Sequence, residues 1–297
     1  MKQRYHNEFI FFLHIQKTAG MTLQELLRRN LGRPPLRILR DFITGDTGEG
    51  FSTQQALQRI MPGDRLFMGH FGYGVHNLVP RPFSYVTFLR EPVRRLVSLY
   101  HFSKLDSRAF YHKYARERSI GDFLLDCPLH ELDNGMTRQI AGDNKNLFMN
   151  RVPYGSCDQE LLDKAIANIE RDFLFVGIQE RFMESVYLLS ETLRFSRPYF
   201  LTFNRGQGPQ ANEDKDLAQR LREKNALDLA LYETYRERFD QKFNRFILDH
   251  PGGFETFVHK NQKHQISLRR CYLARLRARR LLESLLRRPT SARPMPV

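Results

Sequence analysis

The segment FIFFLHIQKTAGMTLQELL, residues 9–27, decides the fold class. It begins with a short run of aromatic and β-branched residues, 9–15, which is typical of a buried strand. The polar turn QKTAG follows, and then a helical pattern in which Leu23, Leu26 and Leu27 share one face. The segment therefore predicts a strand, a loop and a helix in succession.

The same succession recurs farther along the chain. The run FSYVTFL, residues 83–89, is continuously apolar like a strand buried on both faces, and Pro92 lies where the first turn of the next helix should begin. Other predicted elements are a short strand entering a glycine-broken loop in residues 65–76, a strand at 173–178, and helices near 53–61, 158–170, 180–194 and 213–246. Strands that alternate with helices predict an α/β fold, here P-loop-like and three-layered, with a mostly parallel central sheet flanked by helices.

The composition fits a folded domain with a separate basic end. Hydrophobic residues make up 41% and aromatic residues 12% of the 297 residues, which is enough for a full core and excludes a disordered protein. The formal charge is +14, but residues 266–297 hold nine arginines against Glu283 alone, so this end carries +8 and the rest +6. We predict one domain over residues 1–259 and a basic amphipathic helix with a tail over residues 260–297.

The basic end has leucines at helical spacing between its arginines. Such a helix most often docks its leucines on its own domain or on another subunit and leaves its arginines in solvent. We expect that arrangement ahead of contact with a membrane surface, and we do not expect binding to nucleic acid.

Three cysteines, Cys127, Cys157 and Cys271, lie far apart and form no C-x-x-C pair. This spacing argues against a disulfide framework or a structural zinc site and is typical of a protein from a reducing compartment. No apolar run approaches the ~18 residues that a membrane span requires. We therefore expect a cytoplasmic protein.

Residues 14–22, HIQKTAGMT, are predicted to lie at the carboxyl end of the first strand, where open α/β sheets bind ligands. The start of the following helix offers free N–H groups to an anion, and Gly20 would permit a phosphate to approach closely. Lys17 would add a positive charge, and Thr18 and Thr22 could donate hydrogen bonds. The pattern is not a Walker A loop, because its lysine precedes its glycine.

The segment VTFLREPVRRLVSLY, residues 86–100, predicts a second anion site at the next strand. It places Arg90 at the carboxyl end of a buried strand and Ser98 on the following helix, so both could reach one phosphate. Arginine suits a phosphate because its planar fork donates two parallel hydrogen bonds. Arg94 shares the helical face of Ser98 and is a weaker candidate.

These two motifs together resemble those of the carbohydrate sulfotransferases, a family that includes the heparan sulfate 6-O- and 2-O-sulfotransferases. HIQKTAGMT resembles the family's 5′-phosphosulfate-binding loop, and TFLREPVRRLVSLY resembles its 3′-phosphate-binding segment, including the eight-residue step from Arg90 to Ser98. Weaker similarity continues at 132–142 and 176–189, so the resemblance covers roughly residues 8–250. Within the family, this chain looks like a soluble member of the bacterial type.

The resemblance implies 3′-phosphoadenosine 5′-phosphosulfate (PAPS) as the co-substrate, the corresponding 3′,5′-bisphosphate (PAP) as a product, and a hydroxyl acceptor, expected on a carbohydrate. By position it assigns Lys17 to the bridging oxygen or to the transferring sulfuryl group. The other donor-binding residues would be Thr18, Gly20 and Thr22 at the 5′-phosphate, and Arg90 and Ser98 at the 3′-phosphate. Met21 departs from the pattern, because the family usually carries a small hydroxyl residue there.

The reaction requires a base beside the acceptor hydroxyl, and His70 in GHFGYGVH is our first candidate, because histidine titrates near neutral pH. The resemblance also places a catalytic histidine in this region. His76 in the same loop is the main competitor. His14 is interpreted as a packed core residue of the first strand, and Arg138 either as a contact to donor or acceptor or as a surface cation.

Two other functions remain open at this point. A nucleotide kinase would share the strand, loop and helix, but we find neither a Walker A loop nor an acidic cluster for magnesium, so we expect no metal. A non-enzymatic binding protein would instead act through its basic tail.

Overall fold

The computed structural model describes residues 8–31, 60, 62–107, 109–143, 151–201 and 214–286. Its centre is a four-stranded parallel sheet with the order β2-β1-β3-β4. The strands are β1 (Phe9–Leu13), β2 (Leu66–Gly69), β3 (Phe83–Leu89) and β4 (Phe173–Ile178). The predicted α/β class with a parallel central sheet is confirmed.

Helices flank this sheet. In the described ranges they are α1 (Gly20–Leu31), α2 (Pro92–Leu105), α3 (His112–Ala115), α4 (Gly135–Ala141), α5 (Gln159–Asp172), α6 (Phe182–Leu193), α7 (Lys215–Lys224), α8 (Ala226–Asp249) and α9 (Gly253–Leu286). The helix predicted near 53–61 falls almost entirely on residues outside the described ranges.

Strand β1 lies inside the sheet and is buried along its whole length. The ring of Phe11 stacks on Tyr85 of β3 with centroids 5.2 Å apart and meets Phe67 of β2 edge-on at 6.0 Å. Such aromatic pairs stabilise a core beyond the area that they bury. Strands β2 and β3 are therefore held against β1, and this fixes the positions of the chain segments that follow their carboxyl ends.

Helix α2 begins where the sequence predicts. Pro92 occupies its first turn, where a missing N–H costs nothing, and the carboxylate of Glu91 caps the helix by accepting from Arg94 N at 2.7 Å. This start places the helix immediately after the end of β3.

The single helix predicted over residues 213–246 is wrong, because the structure breaks it at Asn225 into α7 and α8. The side chain of Asn225 accepts from Asn134 N at 2.9 Å and donates to Leu221 O at 3.1 Å. Asp228, one turn later, accepts from Thr137 N at 2.8 Å. Both side chains accept hydrogen bonds from backbone N–H groups at the start of α4. These tertiary contacts do not alter the helical periodicity of the sequence, so the periodicity does not reveal the break.

Helix α9 runs without a break through the boundary predicted at residues 259 and 260. Its contacts with the domain extend to Gln265, whose side chain donates to Phe200 O at 2.7 Å, and Asn261 accepts from Phe200 N at 2.8 Å. No helix among the described residues, α9 included, combines the length and apolar content needed to cross a membrane.

Candidate active site

Three polar side chains follow the carboxyl ends of three neighbouring strands. His14 comes directly after β1, His70 after β2 and Arg90 after β3. Because these strands are parallel and adjacent, the three residues lie at one edge of the sheet. Ligands of open α/β sheets bind at this edge, and it also holds the predicted residue Lys17.

The loop between β1 and α1 is held in a tight conformation. Lys17 and Ala19 adopt left-handed backbone angles, with φ of 69° and 65°, which cost on the order of 1 kcal/mol each outside glycine. The Thr18 hydroxyl donates to Ile15 O at 2.8 Å, and the guanidinium of Arg90 donates to Lys17 O at 2.9 Å. The loop therefore depends on Arg90, and the Thr18 hydroxyl is already engaged inside it.

Lys17 and Arg90 form a pair of cations without an anion between them. Neither forms an ion pair with another described residue, and Arg90 Nε is buried without a hydrogen-bond partner in this part of the chain. Burial, followed by the positive charge of Arg90, lowers the pKa of Lys17 to about 8. Burial also lowers the pKa of Arg90, although nearby Glu180 opposes that change. An anionic ligand would offset the unfavourable burial of the two positive charges, so these side chains fit a phosphate or sulfate group.

Two histidines lie face to face beside this loop. The rings of His14 and His70 stack with centroids 4.2 Å apart, and His70 Nδ1 lies 2.7 Å from His14 O. A carbonyl can only accept, so Nδ1 carries the proton and Nε2 of neutral His70 keeps a free lone pair. Burial lowers the pKa of His70 to about 4 and that of His14 well below its usual range. Both rings are therefore neutral at pH 7.

Gln139 of α4 joins the two histidine segments. Its side-chain amide donates to Phe71 O at 2.8 Å and to His14 O at 3.3 Å, and its backbone carbonyl accepts from Tyr73 N at 2.8 Å. The residue is buried. It therefore fixes the segment after β2 against the segment after β1, and with it the distance between the two imidazoles.

Gly20 is needed because the ring of His14 covers it. A Cβ atom added at Gly20 would overlap the imidazole of His14. We expect Gly20→Ala to lower the free energy of unfolding by about 1–3 kcal/mol, since the stacked ring has little room to move. Urea denaturation of Gly20→Ala, His14→Ala and the double variant measures this effect. Gly20→Ala should lower the free energy of unfolding much less in the His14→Ala background than in the wild type. An equal decrease in both backgrounds would contradict the overlap.

Helix α2 contributes one face to the site. Ser98, half-buried, lies two turns after Arg90, and Phe102 lies one turn farther on the same face. The ammonium group of Lys17 lies over the Phe102 ring, 4.1 Å from its centroid. Arg94 is exposed, and Thr22 is buried in the first turn of α1. The structure thus brings Lys17, Arg90 and Ser98 around one space.

His76 lies away from this space, at the opposite end of the sheet. Its ring stacks on Phe83, the first residue of β3, at 4.2 Å, and its Nδ1 lies 2.9 Å from the hydroxyl of Tyr85. Arg90 follows the other end of β3, roughly 20 Å away along the strand. Of the two histidines predicted as the base, only His70 lies at the edge of the sheet that carries the cations.

Both interpretations of Arg138 are wrong. The residue is completely buried, and its guanidinium is paired with Asp133 at 2.5 Å and with Asp143 at 2.8 Å. It also donates to Val152 O at 2.7 Å and Pro153 O at 2.9 Å. Arg138 is therefore a structural residue that holds the segment around 152 against α4.

Sequence reasoning missed His14 as part of the site. The strand ends at Leu13, so His14 belongs to the loop and not to the core. A signal was present, because His14 follows β1 as His70 follows β2, and aligning the predicted strand ends pairs the two residues. Gln139 gave no such signal, since only the folded chain brings α4 to these strands.

Within the described ranges, no group of three or more His, Cys, Asp or Glu side chains is arranged to hold a metal ion. The expectation of a metal-free site stays a prediction.

Comparisons with known proteins agree with this chemistry. Residues 2–250 match the family model described as galactose-3-O-sulfotransferase. The chain is 26% identical to human heparan-sulfate 6-O-sulfotransferase 1 over 284 aligned residues, covering 80% of this chain and 67% of the human protein. It is 26% identical to heparan-sulfate 6-O-sulfotransferase 1-B of Danio rerio over 294 residues, with 82% and 69% covered. The chain thus spans about two thirds of the length of these relatives.

Proposed function

We propose that this chain, which belongs to the galactose-3-O-sulfotransferase family, transfers a sulfuryl group from PAPS to a hydroxyl group of a carbohydrate, with His70 as the base. Family membership makes the chain a sulfate-transferring enzyme and supports a carbohydrate acceptor. The donor and the roles of single residues are the finer part of the proposal.

One observation carries the proposal: Lys17 and Arg90, which form no ion pair with another described residue, lie with a neutral histidine at the carboxyl edge of the sheet. PAPS carries anionic groups at both ends of its ribose, and the site offers a cation for each. Lys17 lies at the end of the β1 loop, and Arg90 with Ser98 lies at the end of β3. Two cations that follow neighbouring strands support a ligand that carries more than one anionic group.

The residues that would hold the donor divide into two sets. Lys17, the backbone N–H groups from Thr18 through Gly20 to Met21, and the hydroxyl of Thr22 would bind the phosphosulfate end. Arg90 and Ser98 would bind the 3′-phosphate. The Thr18 side chain contributes to the loop conformation, because its hydroxyl is bonded to Ile15 O. When bound, the donor supplies an activated sulfuryl group with a phosphate as its leaving group.

His70 is oriented to act as the base. With its proton on Nδ1, its Nε2 can accept the proton of the acceptor hydroxyl while the hydroxyl oxygen bonds to sulfur. The bond between sulfur and the donor's phosphate oxygen breaks in the same step, and Lys17 neutralises the charge that develops on that oxygen. A pKa near 4 makes His70 a weak base in the free protein. The negative donor would raise that pKa towards neutrality by stabilising the imidazolium.

The lowered pKa of Lys17 predicts a pH limit for donor binding. The ammonium group loses its charge as the pH rises through about 8, well below the 10.5 of an ordinary lysine, so the affinity for PAP should fall above pH 8. Calorimetry in buffers of different ionisation enthalpy should also detect proton uptake on binding near that pH. Lys17→Arg should abolish the uptake and extend binding to higher pH, and an unchanged pH profile in this variant would exclude Lys17 as the titrating group.

The test of the proposed function is sulfuryl transfer by the purified protein. We expect release of PAP when PAPS and a set of oligosaccharides are supplied, and equal rates with and without a magnesium chelator. A folded protein that binds no PAP would contradict the donor assignment. If the protein binds PAP and transfers the sulfuryl group to another hydroxyl compound but to no carbohydrate, only the proposed acceptor class is contradicted.

A further inference from the structure

The exposed side of helix α9 carries a line of cations. Lys260, Lys263, Arg270 and Arg277 follow one another at intervals of three or seven residues, so their side chains share one helical face. Between them the same face carries only small residues. All six positions are exposed. This face, termed here the basic stripe, consists of Lys260, Lys263, Ser267, Arg270, Ala274 and Arg277.

The opposite side of α9 is the one that packs on the domain. Phe257 is buried and lies 5.2 Å from the ring of Tyr187, and Asn261 and Gln265 bond to the backbone of Phe200. These docking residues hold the helix in place and point the basic stripe away from the body of the protein. The six residues of the stripe therefore face solvent.

The charges of the basic stripe are not neutralised within the described chain, because none of its four cations forms an ion pair with another described residue. From Lys260 to Arg277 the stripe extends roughly 25 Å along the helix axis. A row of like charges at this spacing destabilises itself and favours a linear polyanion as its partner. A second copy of the chain would present the same positive row and would be repelled.

We propose that the basic stripe binds an acidic polysaccharide chain, so that the enzyme holds its acceptor at a second place outside the active site. This inference rests on the proposed function for the carbohydrate class of the partner. The stripe has no large apolar residue, and among the described side chains of α9 the exposed large apolar residues are Ile266 and Leu273, whereas a membrane-bound helix requires a broad apolar face. It also lacks the aromatic side chains on which single-stranded nucleic acid bases stack.

The basic stripe and the active site are far enough apart to act as two contacts. Helix α9 meets the domain at Phe200, next to Tyr199, whose carbonyl accepts from Arg29 in the last turn of α1. Helix α1 begins at the loop that carries Lys17 and runs away from it, and Arg29 lies roughly 14 Å along the helix axis from Gly20. A long acceptor can span both places and gain effective concentration, whereas a short one cannot.

The first experiment measures binding without any donor. Fluorescence anisotropy of labelled heparan sulfate chains, at fixed ionic strength, would compare wild type with the combined variant Lys260→Gln, Lys263→Gln, Arg270→Gln and Arg277→Gln. The matched control removes two lysines and two arginines that are exposed on other helices: Lys164→Gln, Lys215→Gln, Arg222→Gln and Arg245→Gln. We expect the stripe variant to bind about tenfold more weakly or worse, and the control to bind nearly as wild type.

Several results would overturn this inference. The first is an equal loss of affinity for heparan sulfate in the stripe variant and in its control, and the second is no binding of heparan sulfate by the wild type. The third is tighter binding of the wild type to phosphatidylserine vesicles or to a DNA duplex at the same ionic strength. In turnover, the stripe variant should raise the KM for long acceptor chains and leave kcat and the KM for short acceptors unchanged. PAP affinity, measured on the same variant, is expected to stay at the wild-type value, so a failure of the donor site would be recognised separately.

Discussion

Replacing Arg90 by alanine is expected to weaken PAP binding roughly 100-fold or more, since the variant removes a half-buried cation that forms no ion pair with another described residue. The loss has a second component. Arg90 also donates to Lys17 O and so supports the left-handed loop that presents Lys17 to the ligand. Isothermal titration of PAP into the purified variant, without magnesium, measures the combined effect.

Arg94 provides the matched control for this prediction. It carries the same charge in the first turn of α2, but it is exposed, and within the described residues its hydrogen bond to a side chain is the one that its backbone N–H donates to Glu91. Arg94→Ala should change PAP affinity only a few-fold, as expected for a solvated charge. Equal losses in the two variants would mean that the general positive potential, and not the contact of Arg90, holds the donor. Arg90→Lys should recover only part of the affinity, because an ammonium group cannot replace the planar fork.

Replacing His70 by alanine is expected to lower kcat by about 10²- to 10⁴-fold, the usual contribution of a positioned base. PAP affinity should stay close to that of wild type, because His70 lies beside the cations without being one of them at pH 7. Steady-state kinetics on a sulfated product, together with a PAP titration of the same preparation, separates these two effects.

His76→Ala is the control for the base, since this ring stacks on Phe83 at the far end of β3. It should lose stability through the lost contact with Tyr85 and keep its kcat. A large fall of kcat in His76→Ala, with full activity in His70→Ala, would overturn the assignment. A loss of PAP binding in His70→Ala would instead make this residue part of the donor site.

The strands and the ends of the strands could be predicted from the sequence. The apolar runs at 83–89 and 173–178 coincide with β3 and β4, and Pro92 begins α2 as expected. Parallel strands bring their carboxyl ends to one edge by geometry alone. The proximity of Lys17, His70 and Arg90 follows from that rule and from the loop lengths.

Contacts between distant segments could not be predicted in the same way. The burial of Arg138 depends on two aspartates and on backbone carbonyls from another loop, and the break at Asn225 depends on the needs of α4. The periodicity of a single helix predicts that each of these polar residues is exposed to solvent. Their partners decide their roles, and sequence periodicity does not specify partners.

Some sequence expectations stay predictions. The residue-level donor contacts, the division at residues 259 and 260, the cytoplasmic location and the metal-free reaction all await measurement. The continuous backbone of α9 shows where such measurements should begin, because a truncation before Gln265 would remove contacts to Phe200 as well as the basic end. Charge substitutions in the basic stripe avoid that difficulty.

The stacked histidine pair has a consequence for how the active site can change over evolution. Since Gly20 lies under His14, and His14 lies against His70, a larger residue at position 20 would have to be matched by a smaller one at position 14. That second change would remove the ring on which His70 stacks. Each of these two substitutions is unfavourable alone, so residues 14, 20 and 70 are expected to change together or to stay as they are. The outward faces of the helices are not coupled in this way and can change to contact new acceptors.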